Sequence, residues 1–318
     1  MKHAQQLLLA ACLFLAALPV GPAAAYDEPL GLNLGGTSFL DGIPPAGPGL
    51  YFQEYLLYLT ADKFSNAPRN PLGVGPASDA EVSAWISLNQ FIYQSNQPLL
   101  LGGKWGLNVI VPVATIDADD DNHILSDNGG GLGDLNVGPF LQWDPIMGKN
   151  GPIFVHRVEF TTIWPTGKYD DERALNPSSN FFSFNPYWSA TWFALPKVEL
   201  STRIHYLWND KNGDPFIGSG ATDDTQAGQA WWANFAASYE VMPKQLRVGV
   251  NGYYLKQFEH SEVDGEKTGG LEEVLAIGPG ALWSFSQNTH LFFNAYFETE
   301  TDFRPEGERF YLRFVHHF

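Results

Sequence analysis

The sequence predicts an all-β fold: a transmembrane antiparallel β-barrel of about twelve strands, with long extracellular loops and short periplasmic turns. Three observations predict it. The stretch Glu308 to Phe318 alternates without a break, with Phe310, Leu312, Phe314, His316 and Phe318 on one parity and Arg309, Tyr311, Arg313, Val315 and His317 on the other. Large apolar groups on one face and two arginines on the other suit lipid outside and a polar lumen inside. Beyond residues 1–25, no apolar run approaches the roughly 18 residues a membrane helix needs, so a membrane location must use strands. The third observation is a long-short rhythm in the connections. A soluble antiparallel sandwich, the competing reading, has no reason to keep such a rhythm.

Taken from the N-terminus, residues 1–25 read as a cleaved signal peptide. Lys2 supplies a positive start, Leu7 to Val20 an apolar stretch and Ala23-Ala24-Ala25 a small-residue cleavage site, which leaves Tyr26 as the mature N-terminus. Leu9-Ala10-Ala11-Cys12 has the residue types of a lipoprotein site, but cleavage there leaves Leu13 to Val20 still attached. Cys12 is the only cysteine, so the mature chain has neither disulfide nor thiolate chemistry. Residues 26–48 read as a Gly/Pro-rich extended segment, periplasmic or lumenal, ahead of a barrel over 49–318.

Period-two segments bounded by turn residues place strands near 49–60, 80–94, 103–116, 133–143, 152–164, 180–193, 198–208, 229–241, 245–257, 273–285, 290–299 and 307–318. Between them, long connections at 61–79, 117–132, 165–179, 209–228, 258–272 and 300–306 alternate with short ones such as Met242-Pro243-Lys244. The long connections together carry a net charge of −15 and the short ones +2. Nearly all the acid excess therefore lies on one rim, where solvation alone accounts for it; bridging by divalent cations to anionic outer-leaflet lipid is the functional alternative. Removing the leader removes Lys2 and no acid, leaving 17 basic and 35 acidic residues. Such a surface argues against a nucleic-acid partner.

Several strands sort cleanly by face. Val198, Leu200, Ile204, Tyr206 and Trp208 alternate with Glu199, Ser201, Arg203 and His205; Phe154, Val158, Phe160 and Trp164 with Arg157, Glu159 and Thr161; Trp231, Phe235, Tyr239 and Val241 with Asn234, Ser238 and Glu240. Arg247, Asn251 and Tyr253 fall on the lumen side of their strand, while 49–60 and 273–285 are ambiguous. Trp105, Trp143, Trp164, Trp188, Trp208 and Trp231 suit interfacial girdles. Strand parity thus predicts a lumen charge network of Arg157, Glu159, Glu199, Arg203, Glu240, Arg247, Glu298, Arg309 and Arg313, beside lumen aromatics Phe140, Tyr187 and Tyr253. Pro112, Pro139, Pro186 and Pro279 fall inside strands, where proline removes a ladder donor. Gly138-Pro139 and Gly278-Pro279 are therefore candidate kinks, either ordinary bulges or a lateral opening towards lipid.

No constellation for catalysis emerges. His156 lies on the lipid parity, and no serine motif surrounds His205. Asp117, Asp119 and Asp121 have the spacing that opens a calcium loop, but Asn122 stands where the turn glycine belongs and Asn128 where the bidentate glutamate belongs. His316 and His317 point to opposite faces. Gly129-Gly130-Gly131 reads as a flexible loop without the strand-to-helix setting of a phosphate site. Neither a metal nor a cofactor is expected.

Local words then carry a resemblance. Asn33-Leu34-Gly35-Gly36-Thr37-Ser38-Phe39-Leu40-Asp41-Gly42, followed by Pro48-Gly49, resembles the N-terminal signature of the outer-membrane transporters of the phenol-degradation MetA-pathway family. Gly133-Asp134 with Gly138-Pro139, Pro165-Thr166-Gly167-Lys168-Tyr169, Ser238-Tyr239-Glu240-Val241, Gly249-Val250-Asn251-Gly252-Tyr253-Tyr254 and Ile277-Gly278-Pro279-Gly280 are similar family-like words. The resemblance implies passive uptake of small hydrophobic or aromatic molecules across the outer membrane of a Gram-negative bacterium. Phe318 resembles the terminal aromatic that such barrels present to their insertion machinery, and outer-membrane lipid and lipopolysaccharide are the implied surroundings. The alternatives are a non-transporting surface barrel, adhesive or lipid-organising, and an outer-membrane hydrolase.

Overall fold

A computed structural model describes residues 32–44, 47–63, 80–119 and 125–318; the expected signal peptide lies outside them. Among the described residues the sheet is built from twelve long strands: β1 (Gly49–Lys63), β2 (Glu81–Leu100), β3 (Gly103–Asp119), β4 (Leu135–Gln142), β5 (Gly151–Trp164), β6 (Ser183–Leu195), β7 (Val198–Asn209), β8 (Ala230–Met242), β9 (Leu246–Gln257), β10 (Glu273–Ser284), β11 (Thr289–Asp302) and β12 (Glu306–His317). Each pairs antiparallel with the next. β12 returns to β1 with Tyr55 opposite Arg313 and Leu57 opposite Tyr311. Closure leaves no sheet edge, the condition for strands to stand in hydrocarbon.

Alternation follows from the pleat. On β12, Arg309, Tyr311, Arg313 and Val315 are buried inside, while Leu312, Phe314 and Phe318 are exposed outside. On β5, Val155, Arg157, Glu159, Thr161 and Ile163 point in, and Phe160 and Trp164 point out. The ambiguous strands also resolve: β1 turns Tyr51, Tyr55 and Leu57 inward, and β10 turns Val274, Ala276 and Leu282 inward. Exposed Trp85, Trp105, Trp164 and Trp231 ring the outer surface with other aromatics.

The prolines mark breaks in the ladder. β4 pairs β5 at Val137↔Thr162 and again at Phe140↔Glu159, skipping Gly138 and Pro139. β6 and β7 skip Asn185 and Pro186, and β10 and β11 skip Gly278 and Pro279. The backbone N–H that proline lacks is replaced by side chains: Asn185 Nδ2 donates to the Tyr206 carbonyl (2.7 Å) and Asn251 Nδ2 to the Ala295 carbonyl (3.3 Å). Pro112 differs, staying in register with Leu88, its carbonyl accepting from Gly133 N–H (2.9 Å).

One expectation changes. Gly129-Gly130-Gly131 is not a free loop: Gly130–Leu132 forms a short strand against Val113 to Thr115 of β3. The long connections also carry structure of their own: Lys211–Asn212, Thr225–Gln226, Ser261–Val263 and Glu266–Thr268 form a small four-stranded sheet above the barrel. Backbone N–H groups of Thr222, Asp223 and Asp224 converge there on the Asp264 carboxylate and hold its pKa down at about 2. Of the calcium-like triplet, Asp121 and Asn122 lie outside the described residues.

Candidate functional site: the lumen and its internal segment

The lumen is not empty. Residues 32–44 run inside it and descend from the long-loop half towards the rim where β1 begins. Leu34, Thr37, Ser38 and Phe39 are essentially without solvent contact. A segment with no sheet partner must satisfy its backbone through side chains, and the inward polar residues supply them. Tyr311 donates to the Leu34 carbonyl (2.5 Å), Tyr296 to that of Thr37 (3.1 Å) and Gln142 to that of Gly42 (3.0 Å). Asn234 receives Gly35 N–H (3.0 Å) on its Oδ1 and gives its Nδ2 to the Asn33 carbonyl (2.7 Å). Gly35 lies at φ +80°, and a Cβ there would meet the rings of Tyr253 and Tyr296 at 3.1 Å, so glycine is required at this contact.

One charge pair anchors the segment. Arg203 grips Asp41 with Nε to Oδ2 at 2.9 Å and Nη2 to Oδ1 at 2.7 Å, a bidentate geometry specific to guanidinium and carboxylate. The guanidinium also lies over the Tyr187 ring, 4.4 Å from its centroid. Phe39 packs with Tyr51, Ile92, Phe140, Leu282, Phe292 and Val315. The lower lumen is therefore closed by an apolar knot beneath the ion pair.

Above this seal the character changes. A cavity of about 150 Å³ opens in the long-loop half. One wall is aliphatic, formed by Leu57, Leu59, Val82, Ala84, Ile86 and Ile116, and Leu32 forms its floor. Glu298, Arg304 and Arg309 line the cavity beside that wall, Arg309 standing next to Leu59 across β1 and β12. Beneath Leu32 lies a narrower slot of about 30 Å³ whose lining includes Gln90, Asn108, Glu159, Asn185, Tyr187, Arg203 and His205.

Two acceptors in the slot are buried without a partner among the described residues, His205 Nε2 and Gln90 Oε1. The His205 tautomer follows from its neighbour. Asn185 spends its Nδ2 on the Tyr206 carbonyl, so its Oδ1 faces His205 Nδ1 at 3.1 Å and makes that nitrogen the donor. Nε2 of the neutral ring is then a bare acceptor. The imidazole is held flat against Trp232, with centroids 4.3 Å apart and planes 10° apart. The slot thus offers a donor-seeking edge to whatever passes Leu32.

The sequence-predicted charges all face inward, but they form separate clusters rather than one network. Glu159 accepts from Asn108 (2.9 Å), Thr161 (3.0 Å) and the Tyr187 hydroxyl. Arg157 donates to Gln142 (3.0 Å) and covers Phe140. Glu199 accepts from Ser201 (2.6 Å) and Ser238 (2.5 Å). Arg247 reaches Ser238 (2.9 Å) and Glu240 (4.0 Å) near the short-turn rim. Glu298 gathers Tyr253 (2.7 Å), Arg304 (3.4 Å) and Arg309 (3.5 Å). Arg313 donates to the Tyr55 hydroxyl (3.3 Å) and lies over Phe292 at 3.8 Å. Phe140, Tyr187 and Tyr253 are all inward and buried. At the candidate kinks, a Cβ on Gly138 would strike Glu159 Oε1 at 2.3 Å and one on Gly278 the Ala295 carbonyl at 2.1 Å. Phe318 N–H donates to the Leu50 carbonyl (3.0 Å), tying the terminus into the seam.

Sequence reasoning missed Asp41 and the aliphatic wall. Asp41 had a signal: a lone acid in a Gly-rich apolar segment needs a cation wherever that segment is buried. The wall had none, because parity alone does not reveal an apolar inner face. His156 stacks on Trp143 at the outer surface. Among the described residues, no group of three or more His, Cys, Asp or Glu side chains is placed to hold a metal ion.

The fold is similar to that of an outer membrane channel of the COG4313 group from Pseudomonas putida F1, with a TM-score of 0.73 and 17% identity over 87% of this chain and 97% of that one. More distant barrels are the transport unit of the autotransporter AIDA-I from Escherichia coli (TM-score 0.48, 10% identity, 88% and 94% of the two chains) and the CymD monoaromatic hydrocarbon channel (TM-score 0.35, 11% identity, 94% and 97%). No curated protein matches the sequence. The family profile described as "Putative MetA-pathway of phenol degradation" matches residues 62–314, and the chain belongs to that family.

Proposed function

We propose that this chain is a passive outer-membrane channel for small hydrophobic or aromatic molecules, and not an enzyme. The carrying observation is the stacking of three layers along one lumen: an aliphatic-walled cavity at the outer mouth, a polar slot beneath it and a latched segment below. At about 150 Å³ the upper cavity matches in volume a cavity that takes up benzene in a protein interior, with one wall aliphatic and the charges of Glu298, Arg304 and Arg309 beside it. An aromatic solute partitions into the upper cavity, presents any hydroxyl to His205 Nε2 and Gln90, and enters the periplasm when Asp41 leaves Arg203.

The ladder breaks at Gly138-Pro139 and Gly278-Pro279 support a sideways exit for the most apolar solutes. Pro139→Val tests that route better than any change at Gly138, because it leaves Glu159 in place. The chain's surroundings under this reading are outer-membrane lipid and lipopolysaccharide, reached through the insertion machinery with Phe318 as the signal. Deleting Phe318 is expected to lower outer-membrane levels without blocking export; normal levels contradict that role.

The deciding experiment is uptake of a panel of aromatic solutes by vesicles holding the purified protein. Flux that rises with solute hydrophobicity and exceeds that of protein-free vesicles is expected. A plugged, non-transporting barrel, the reading that segment 32–44 otherwise favours, predicts no flux from the native chain or from Asp41→Ala.

A further inference from the structure

The lipid-facing parity of β1 and β2 carries a polar cluster in the wrong place for lipid. Ser87 Oγ donates to Glu54 Oε1 at 2.6 Å, and Asn89 Nδ2 donates to Ser87 Oγ at 3.0 Å. All three lie on the parity of the exposed Leu56, Trp85, Phe91 and Tyr93, and Glu54 stands directly opposite Asn89 across the strand pair. Depth follows from the aromatics. Tyr58 and Trp85 form one ring pair and Tyr93 and Trp105 another. Asn89 sits midway along β2 between Trp85 and Tyr93. With a strand rise of about 3.3 Å per residue and a tilt of about 40°, the cluster is roughly 10 Å from either interface, at the centre of the apolar band.

The cluster is only partly satisfied within the barrel. Asn89 Nδ2 also donates to the Val111 carbonyl (3.4 Å), as the lipid-facing hydroxyls of Thr162 and Thr202 donate to carbonyls of their own wall, but Glu54 Oε2 and Asn89 Oδ1 receive no hydrogen bond among the described residues. Other charged side chains on this parity, among the described residues, include Glu81, Asp117, Asp119, Lys256, Glu273 and Glu308, all at the long-loop ends of their strands; Lys256 and Glu273 pair at 2.9 Å. A polar group at mid-depth is tolerated where another protein surface covers it.

We propose that the outer face of β1 to β3 joins two copies of this chain in the membrane. Barrels of one kind insert with one orientation, so the two-fold axis of such a pair runs along the membrane normal. Every residue then meets its own depth on the partner. Only a mid-depth polar cluster finds a mid-depth polar cluster that way. Glu54 and Asn89 of one copy then meet Asn89 and Glu54 of the other, a reciprocal carboxyl–amide pair across the axis. The neighbouring β3 surface, with Val109, Val111 and Val113 outward, is low enough to let the walls approach.

Cys12 is the only cysteine and falls in the expected leader, so single introduced cysteines report cleanly. Val111→Cys, opposite Asn89, is expected to give a homodimer with a short bis-maleimide in intact outer membranes. Val248→Cys, on β9 across the barrel, is expected to remain monomeric. Adding Glu54→Leu and Asn89→Leu is expected to lower the Val111→Cys dimer at least fivefold, while Glu54→Gln retains it; heat-modifiable gel mobility checks that each barrel is folded. Monomer alone from Val111→Cys, cross-linking to a protein of different mass, or an undiminished dimer in the leucine variant overturns the proposal.

Discussion

The inner face of the wall at β1 to β3 and that of the wall at β5 to β8 differ in polarity. On β5 to β8 the inner face is polar, with Glu159, Asn185, Thr191, Glu199, Arg203, His205 and Asn234 buried, while Phe160, Trp188, Ile204 and Phe235 face out. On β1 to β3 the long-loop half of the inner face carries Leu57, Ala84, Ile86, Leu88, Ala114 and Ile116, and the outer face, apolar at Leu56, Trp85, Phe91 and Val113, also carries Glu54, Ser87 and Asn89. The rule of apolar outside and polar inside therefore describes what each face touches rather than the barrel as such. The polar inner wall faces backbone: it holds the internal segment by hydrogen bonds. The aliphatic inner wall faces a cavity, where an apolar solute takes the place of packing.

The largest expected effect comes from breaking the polar side. Asp41→Ala leaves Arg203 buried and uncompensated, and removing one member of such a pair costs about 3 kcal/mol or more, over a hundredfold in the hold on the segment. Single-channel conductance in planar bilayers is expected to rise sharply. Unchanged conductance means that Asn234, Tyr296 and Gln142 hold the segment without the ion pair.

The apolar side is tested by making it resemble its opposite. Ile86→Asn removes about 1.5–3 kcal/mol of apolar contact from the upper cavity. Uptake of an unsubstituted aromatic is expected to fall about tenfold or more, with small-ion conductance unchanged. An equal loss of both indicates a collapsed barrel.

A smaller effect separates solutes from one another. His205→Phe preserves the stack on Trp232 and deletes the Nε2 acceptor, and one net hydrogen bond is worth about 1 kcal/mol. Uptake of a hydroxylated aromatic is expected to drop about fivefold relative to its unsubstituted parent. If the ratio stays constant, the slot does not read the hydroxyl.

The smallest effect lies outside the membrane, where neither wall is involved. The folded Asp264 carboxyl titrates at about 2, below the ordinary value of about 3.9. Its clasp on residues 222–224 therefore holds fully above the unfolded value and is lost as pH falls through the folded one. Amide exchange at 222–224 is expected to be independent of pH from 7 to about 5 once intrinsic rates are removed, and to accelerate towards about pH 2. Asp264→Asn should show the faster exchange at neutral pH.

By itself the amino-acid sequence determined the strands and the closure. Alternation at β5, β7, β8 and β12 is written in consecutive residues, because a pleat sends neighbours to opposite faces whatever surrounds them. It also determined which residues share a face, down to Arg157 with Glu159 and Arg203 with His205. Which face is inner on β1 was decided only by the closed ring, since Tyr51-Phe52-Gln53-Glu54-Tyr55 is aromatic and polar on both parities. The course of residues 32–44 was decided by the tertiary structure alone. That segment has no period, and its partners lie far along the chain: Ser201 and Arg203 for Asp41, Asn234 for Gly35, Tyr311 for Leu34. A backbone without sheet bonds goes where side chains can satisfy it, and the ring of inward polar groups that does so exists only once the barrel has closed.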